Sequence, residues 1–156
     1  AGQQAAGRNP AAARFVLPVQ QVEMALSGLF EQLQRDPWPV DGDKRPTRAT
    51  GTAGSIAVSL IETLFPNHGA RVMMFLGGAG TVGAGAVAST TLRDGIRSHH
   101  EVSEDTAKFY RKASKFYEGL AKRAAAAGIV VDLLVGCLDQ VGIAEMRSLV
   151  NLTGGN

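Results

Sequence analysis

The sequence predicts an α/β protein in which helices lie on both faces of a mainly parallel β-sheet, part of which this chain supplies. Two short apolar runs, 71–76 and 129–138, are typical of strands that are buried on both faces. Between them, Glu104 to Ala127 carries apolar residues at helical spacing. Strand–helix–strand units of this kind are almost always parallel and right-handed.

Composition limits the possible classes of protein. The 156 residues are 45% hydrophobic and 19% charged, as in globular proteins with a sizeable core. The formal charge of +2 does not favour a nucleic-acid partner. The single cysteine, Cys137, excludes an internal disulfide and a Cys-based zinc site and indicates a reducing compartment, so we expect a cytoplasmic protein.

The N-terminal part predicts a flexible arm over residues 1–14 and then a helix. From Pro18, apolar residues recur at three- and four-residue steps up to Leu33, which places them on one helical face. Pro37 and Pro39 cannot continue a helix, so residues 36–50 should form a loop.

A second helix is expected from about Thr52 to Leu64, before strand 71–76. The residues predicted to face inward are Ile56, Leu60, Ile61 and Leu64. The following segment, 77–103, is long and rich in glycine, and loops of this length usually have a function or contain short irregular helices.

The C-terminal part predicts the long helix 104–127, a left-handed cap at Gly128, strand 129–138 and a short helix from Gly142 to Leu149. Asp139 should cap that last helix or, alternatively, act as a site residue at the end of a strand. Because two strands would leave their outer edges unpaired, we expect further strands before residue 1 and after Asn156.

Residues 78–83 match the dinucleotide-binding pattern GxGxxG and follow a predicted strand. A nucleotide-binding enzyme domain is therefore the alternative function. Against it, no amphipathic helix opens at these glycines and no acidic residue ends a second strand about 20 residues later. The run His99-His100-Glu101 does not have metal-ligand spacing, and no known nucleophile motif occurs.

The long helix has a basic side. It consists of Lys108, Arg111, Lys112, Lys115 and Lys122. Such a side is usually just solvated, but it could also contact an anionic membrane surface.

Several runs resemble one known family, in order, from about residue 14 to the end. They include 15–20 (FVLPVQ), 33–40 (LQRDPWPV), 69–75 (GARVMMF), 138–140 (LDQ) and 151–155 (NLTGG). Together they are similar to the trunk of the Sec-twenty-three subunit, the GTPase-activating subunit of the COPII vesicle coat.

The resemblance implies that residues 15–156 are part of a von Willebrand factor A-like (Rossmann-like) trunk domain. It also implies a cytoplasmic coat component that is peripheral on endoplasmic reticulum membranes and COPII vesicles. Its partners would be the cargo-adaptor coat subunit and the small GTPase of the coat. The family's zinc finger and its catalytic arginine lie in parts that this chain lacks, so we expect an interaction module without enzyme activity, cofactor or metal.

The segment around the tryptophan is the expected contact site for partners. Large aromatic residues dominate interface energetics, and a tryptophan between prolines is held rigidly. The residues concerned are Phe15, Pro37, Trp38 and Pro39. Trp38 could equally cap the core.

Overall fold

The computed structural model describes residues 16–34 and 37–156. The predicted arm 1–14 and Phe15 lie outside the described residues. The elements are, in chain order, α1 (Val19–Gln32), α2 (Thr50–Leu64), β1 (Ala70–Leu76), α3 (His99–Ser103), α4 (Tyr110–Ala126), β2 (Ile129–Val135) and α5 (Ile143–Thr153).

The chain divides into two compact units, Ala1–Pro39 and Val40–Asn156. The first contains α1, which confirms the predicted first helix. The backbone at Leu33 is extended and no longer helical, with ψ at 115°, so α1 ends shortly before the Pro37–Pro39 segment. All other elements belong to the second unit.

The second unit confirms the α/β prediction. Strands β1 and β2 pair in parallel over their full lengths, from Ala70 opposite Ile129 to Leu76 opposite Val135. One face of this sheet, which carries Val72 and Val131, joins the hydrophobic core. The core also draws on α2, α4 and α5.

The other face of β1 is not buried by the described residues. Met73 is 60% exposed and Phe75 is 74% exposed, and both alternate with half-buried neighbours. The run 71–76 was expected to be buried on both faces. It is buried on one face only, because all the described helices of the core pack on the side opposite to Met73 and Phe75.

Helix α2 packs only partly through the predicted residues, of which Ile61 lies against the hydrophobic core. Its buried residues are Gly51, Gly54 and Val58, whereas Ile56 is 62% exposed. The small residues at 51 and 54 let α2 approach its neighbours closely.

The long helix begins later than predicted, at Tyr110 rather than Glu104. Asp105 has a positive φ of 57°, which interrupts helical geometry between α3 and α4. The inward positions Ala113, Leu120 and Ala124 are buried as expected, and Gly128 takes the predicted left-handed conformation.

Helix α5 is longer than predicted and is not capped by Asp139. Gly142, with φ of 93°, is the N-cap residue. The Oδ1 atom of Asp139 instead accepts a hydrogen bond of 2.8 Å from the backbone N–H of Gln140. The capping prediction was wrong because Gln140, Val141 and Gly142 separate Asp139 from the first residue of α5.

Candidate partner-binding surfaces

Backbone hydrogen bonds hold the glycine-rich loop 77–98, both within the loop and to Arg48. The N–H groups of Thr81 and Val82 donate to the carbonyl oxygen of Arg48, over 2.9 and 3.2 Å. Those of Val87 and Ala88 donate to the carbonyl oxygen of Gly80, over 2.8 and 3.3 Å. These four amides are therefore not available to cradle a phosphate group.

The space beside Gly78 and Gly83 is filled by protein. A Cβ atom at Gly78 would lie 2.7 Å from the Arg48 guanidinium, and one at Gly83 would lie 2.7 Å from the Thr52 hydroxyl. No described helix begins within 78–83. The geometry thus lacks the helix N-terminus and the open backbone that the nucleotide-binding alternative requires.

Tyr117 fixes the middle of the loop from α4. Its hydroxyl donates a buried hydrogen bond of 3.0 Å to the carbonyl oxygen of Gly85. Burial, with a smaller effect of the Glu145 charge, raises the pKa of Tyr117 to about 12. The phenol is therefore neutral over the physiological range and acts as a donor that holds the loop.

Arg97 and Glu145 fix the end of the loop to α5. The guanidinium donates two hydrogen bonds to the carboxylate, Nε to Oε1 at 2.7 Å and Nη2 to Oε2 at 2.8 Å. Glu145 is 2% exposed, and its bond to Arg97 raises the pKa of the guanidinium. Sequence analysis did not predict this pair. The acidic residue in the first turn of the last helix was the feature of the sequence that pointed to it.

The run 99–101 forms a helix start rather than a metal site. Ser98 and Glu101 form a capping box, in which each side chain accepts a hydrogen bond from the other residue's backbone N–H. Over residues 16–34 and 37–156, no group of three His, Cys, Asp or Glu side chains is placed to hold a metal ion.

The predicted basic side exists as a stripe on α4. Its five residues, Lys108, Arg111, Lys112, Lys115 and Lys122, are all exposed. On a helix of 3.6 residues per turn, the four that lie within α4 fall within an arc on the order of 100°, opposite the buried face. Arg111 pairs with Asp105 and Lys122 with Glu118, whereas Lys112 and Lys115 form no ion pair with any described residue. The α4 stripe therefore presents at least two charges that are not part of an ion pair with a described residue.

Trp38 is 77% exposed in the first unit, and Pro37 and Pro39 beside it are exposed as well.

The profile of the Sec23/Sec24 trunk domain matches residues 8–156. The chain belongs to this trunk family. Membership indicates a component of the COPII vesicle coat and confirms the resemblance drawn from the sequence runs above. None of the described helices of this trunk chain is long and apolar enough to cross a membrane.

One of the trunk-like runs, NLTGG, has a clear structural role. The Thr153 hydroxyl accepts a hydrogen bond of 3.0 Å from the Val131 N–H, at the edge of β2 that does not face β1. A Cβ atom at Gly155 would lie 1.9 Å from the Val131 carbonyl oxygen, so only glycine fits there. The run thus lets the chain after α5 pack directly against the strand.

Asp132 secures the same edge of the trunk sheet. Its Oδ1 atom accepts a bond of 3.0 Å from the Asn156 N–H, and its Oδ2 atom accepts one of 2.7 Å from Arg71. The bond from Asn156, followed by that from Arg71, lowers the pKa of Asp132 against the opposing effect of desolvation. Asp132 is therefore ionised at neutral pH and has a structural role.

Proposed function

We propose that this chain is the trunk module of a COPII coat subunit that pairs with the cargo-adaptor subunit and binds the small GTPase of the coat. The match of the trunk profile over residues 8–156 carries the proposal. The module works as a scaffold without enzyme activity, cofactor or metal, on the cytoplasmic side of endoplasmic reticulum membranes and COPII vesicles in transport to the Golgi.

The Trp38 segment is proposed as one contact with these partners. Its exposed aromatic ring lies between two prolines that limit backbone freedom, so little conformational entropy is lost on binding. Phe15 belongs to the same proposed contact by sequence. Exposed aromatic side chains that become buried in an interface commonly supply a large share of the binding free energy.

A binding assay tests the pairing. The chain is immobilised and exposed to the cargo-adaptor subunit and, separately, to the GTPase loaded with a non-hydrolysable GTP analogue. We expect saturable binding and a weaker Kd for Trp38→Ala at unchanged melting temperature. Phe30→Ala, which removes another exposed aromatic ring of the same unit, is the matched control. Absence of binding to both partners would contradict the proposal.

The α4 stripe is proposed as a peripheral membrane contact. Basic residues near an anionic bilayer contribute about 1 kcal/mol each, and this contribution falls as salt rises. Lys112 and Lys115 are the strongest candidates because neither forms an ion pair with a described residue, although the charge of Lys115 also acts on Glu118. The contact would orient the trunk on the membrane without insertion.

Co-sedimentation with vesicles that contain phosphatidylserine tests this contact. Reversing both charges, in Lys112→Glu/Lys115→Glu, should lower partitioning at least about tenfold. The control Lys44→Glu/Arg93→Glu has the same net charge but changes residues outside the α4 stripe. Equal losses in the two variants would mean that only net charge matters and would remove the assignment to α4.

A further inference from the structure

A groove of about 320 Å³ lies between α4 and α5. This volume is at the lower end of the range for small-ligand sites, which is about 300 to 1,000 Å³. Polar and charged side chains line the α4–α5 groove from both helices. They include Tyr110, Ser114 and Glu118 of α4 and Arg147, Ser148 and Asn151 of α5.

Two serine hydroxyls of the groove have no hydrogen-bond partner among the described residues. They are the Oγ atoms of Ser114 on α4 and Ser148 on α5, and both are buried. Buried polar groups in native proteins are nearly always hydrogen-bonded, so two unpaired hydroxyls beside one groove point to a ligand that satisfies them. Rotation about χ1 between staggered positions can turn each hydroxyl toward the groove.

Arg147 gives the groove a positive charge that no described carboxylate neutralises. Two carboxylates also line the groove, but each already has a basic partner: Glu145 pairs with Arg97, and Glu118 pairs with Lys122. Arg147 forms no ion pair with a described residue. The groove together with these pairs therefore keeps one positive charge and attracts an anion.

The α4 stripe runs along one rim of the groove. Arg111 and Lys115 directly follow the groove residues Tyr110 and Ser114, so each lies about 100° around the helix from its neighbour. The stripe extends the positive potential beyond Arg147. A ligand with more than one anionic group is therefore favoured over one with a single charge.

We propose that the α4–α5 groove binds a phosphorylated polyol. A phosphate group of the ligand pairs with Arg147, because a guanidinium and a phosphate can form two parallel hydrogen bonds. Ser114 and Ser148 donate to oxygen atoms of the ligand. The Glu118 carboxylate only accepts hydrogen bonds, so it suits the O–H groups of a polyol and disfavours inorganic phosphate alone.

Phosphorylated polyols occur as headgroups of inositol lipids and also as free molecules. The inference rests on the proposed membrane contact only for the lipid-borne form. In that form, the groove would select one kind of headgroup, while the α4 stripe would respond to the negative charge of the bilayer in general.

Titration calorimetry with soluble inositol bisphosphate tests the groove itself. We expect saturable binding that Arg147→Gln weakens at least about tenfold, because a charge-assisted pair is lost. Arg93→Gln removes the same charge at an exposed arginine outside the groove and should leave the affinity unchanged. Absence of saturable binding, or equal losses in these two variants, would overturn the inference.

Ser148→Ala distinguishes a ligand-binding role from a structural one. Its hydroxyl makes no hydrogen bond in the free chain, so its removal should not lower the melting temperature. The affinity for inositol bisphosphate should nevertheless fall about fivefold, because the ligand loses one donor. Unchanged affinity in Ser148→Ala would overturn the assignment of this hydroxyl to the site.

Co-sedimentation with phosphatidylcholine vesicles identifies the source of the ligand. Vesicles that also carry phosphatidylinositol monophosphate are compared with vesicles that carry phosphatidylserine at equal surface charge. A preference for the inositol lipid that Arg147→Gln abolishes would support the groove with a lipid headgroup as its ligand. Equal partitioning together with binding in calorimetry would support the groove with a free phosphorylated polyol.

The same two measurements separate this inference from the proposed membrane contact. Charge-dependent sedimentation without binding in calorimetry would overturn the groove and leave the membrane contact intact. Binding in calorimetry without sedimentation on either kind of vesicle would overturn the membrane contact and leave the groove intact.

Discussion

The Tyr117 phenol is buried and donates a hydrogen bond to the loop. As a result, the stability of the fold should decrease at alkaline pH. In an unfolded chain a tyrosine ionises near pH 10, whereas the pKa of Tyr117 in the fold is about 12. Between these values the unfolded state releases the proton more readily, so the free energy of unfolding falls as pH rises. The loss from this residue should reach about 2 to 3 kcal/mol.

Urea denaturation at a series of pH values checks this prediction. Tyr117→Phe should be less stable at neutral pH, because the Gly85 carbonyl oxygen loses its donor, but should lack the Tyr117 component of the alkaline loss. Tyr110→Phe, at the start of α4, should retain it. If the free energy of unfolding fell equally with rising alkaline pH in Tyr117→Phe and in the wild-type chain, the prediction would be contradicted.

The Arg97–Glu145 pair also predicts a large effect of a single residue. Arg97→Met leaves the buried Glu145 carboxylate without its partner, which should destabilise the fold by about 3 to 5 kcal/mol. The double variant Arg97→Met/Glu145→Met removes both charges and should recover most of that stability. A coupling free energy near zero in this double-mutant cycle would show that the pair contributes little.

At the scale of elements, α2 offers a matched pair of glycines. A Cβ atom at Gly51 would lie 2.1 Å from the Ala84 carbonyl oxygen, whereas one at Gly54 would lie 3.3 Å from the flexible end of Met74. Both changes to alanine gain about 1 kcal/mol of helix propensity. We expect Gly51→Ala to be destabilised by more than this gain and Gly54→Ala to be neutral or stabilised, as measured by thermal unfolding.

The elements differ in how far the sequence predicted them. Strand β1, helix α1 and the start of β2 were predicted because apolar periodicity and proline positions are local signals, whereas β2 ends at Val135 and not at Leu138 as expected. The start of α4 was not predicted, because the positive φ of Asp105 is a conformation that aspartate tolerates but that its residue type does not predict. The inward face of α2 was predicted at Ile61 but not at Gly51 and Gly54. Periodicity follows hydrophobic residues, whereas the packing of α2 also uses glycines that allow close approach.

The candidate surfaces also differ in how far the sequence predicted them. The α4 stripe followed from charge spacing along one helix. The neighbouring positions of Phe75 and Leu134 did not, because these residues belong to different strands and only the parallel register brings them together.

For the whole molecule, the uncovered face of β1 should govern behaviour in solution. A strand with an unpaired edge and exposed apolar side chains tends to associate with other protein chains. Natural proteins often carry lysine on such strands, which disfavours this association. Met73→Lys, on the exposed face, should therefore lower binding of a hydrophobic dye and raise solubility without lowering the melting temperature. Val72→Lys, on the core face, should unfold the chain instead. Equal dye binding by Met73→Lys and the wild-type chain would contradict this prediction.

The packing of loop 77–98 has a practical consequence for experiments on this chain. Glycine-rich loops are usually chosen as sites for epitope tags, fluorescent labels or protease cleavage sites. Here the carbonyl oxygen of Arg48, the hydroxyl of Tyr117 and the side chain of Arg97 hold the loop at its start, middle and end. An insertion between Thr81 and Ala88 would therefore disturb the core, whereas Gly95, where an added Cβ atom would meet nothing within 4 Å, offers a better place for a label.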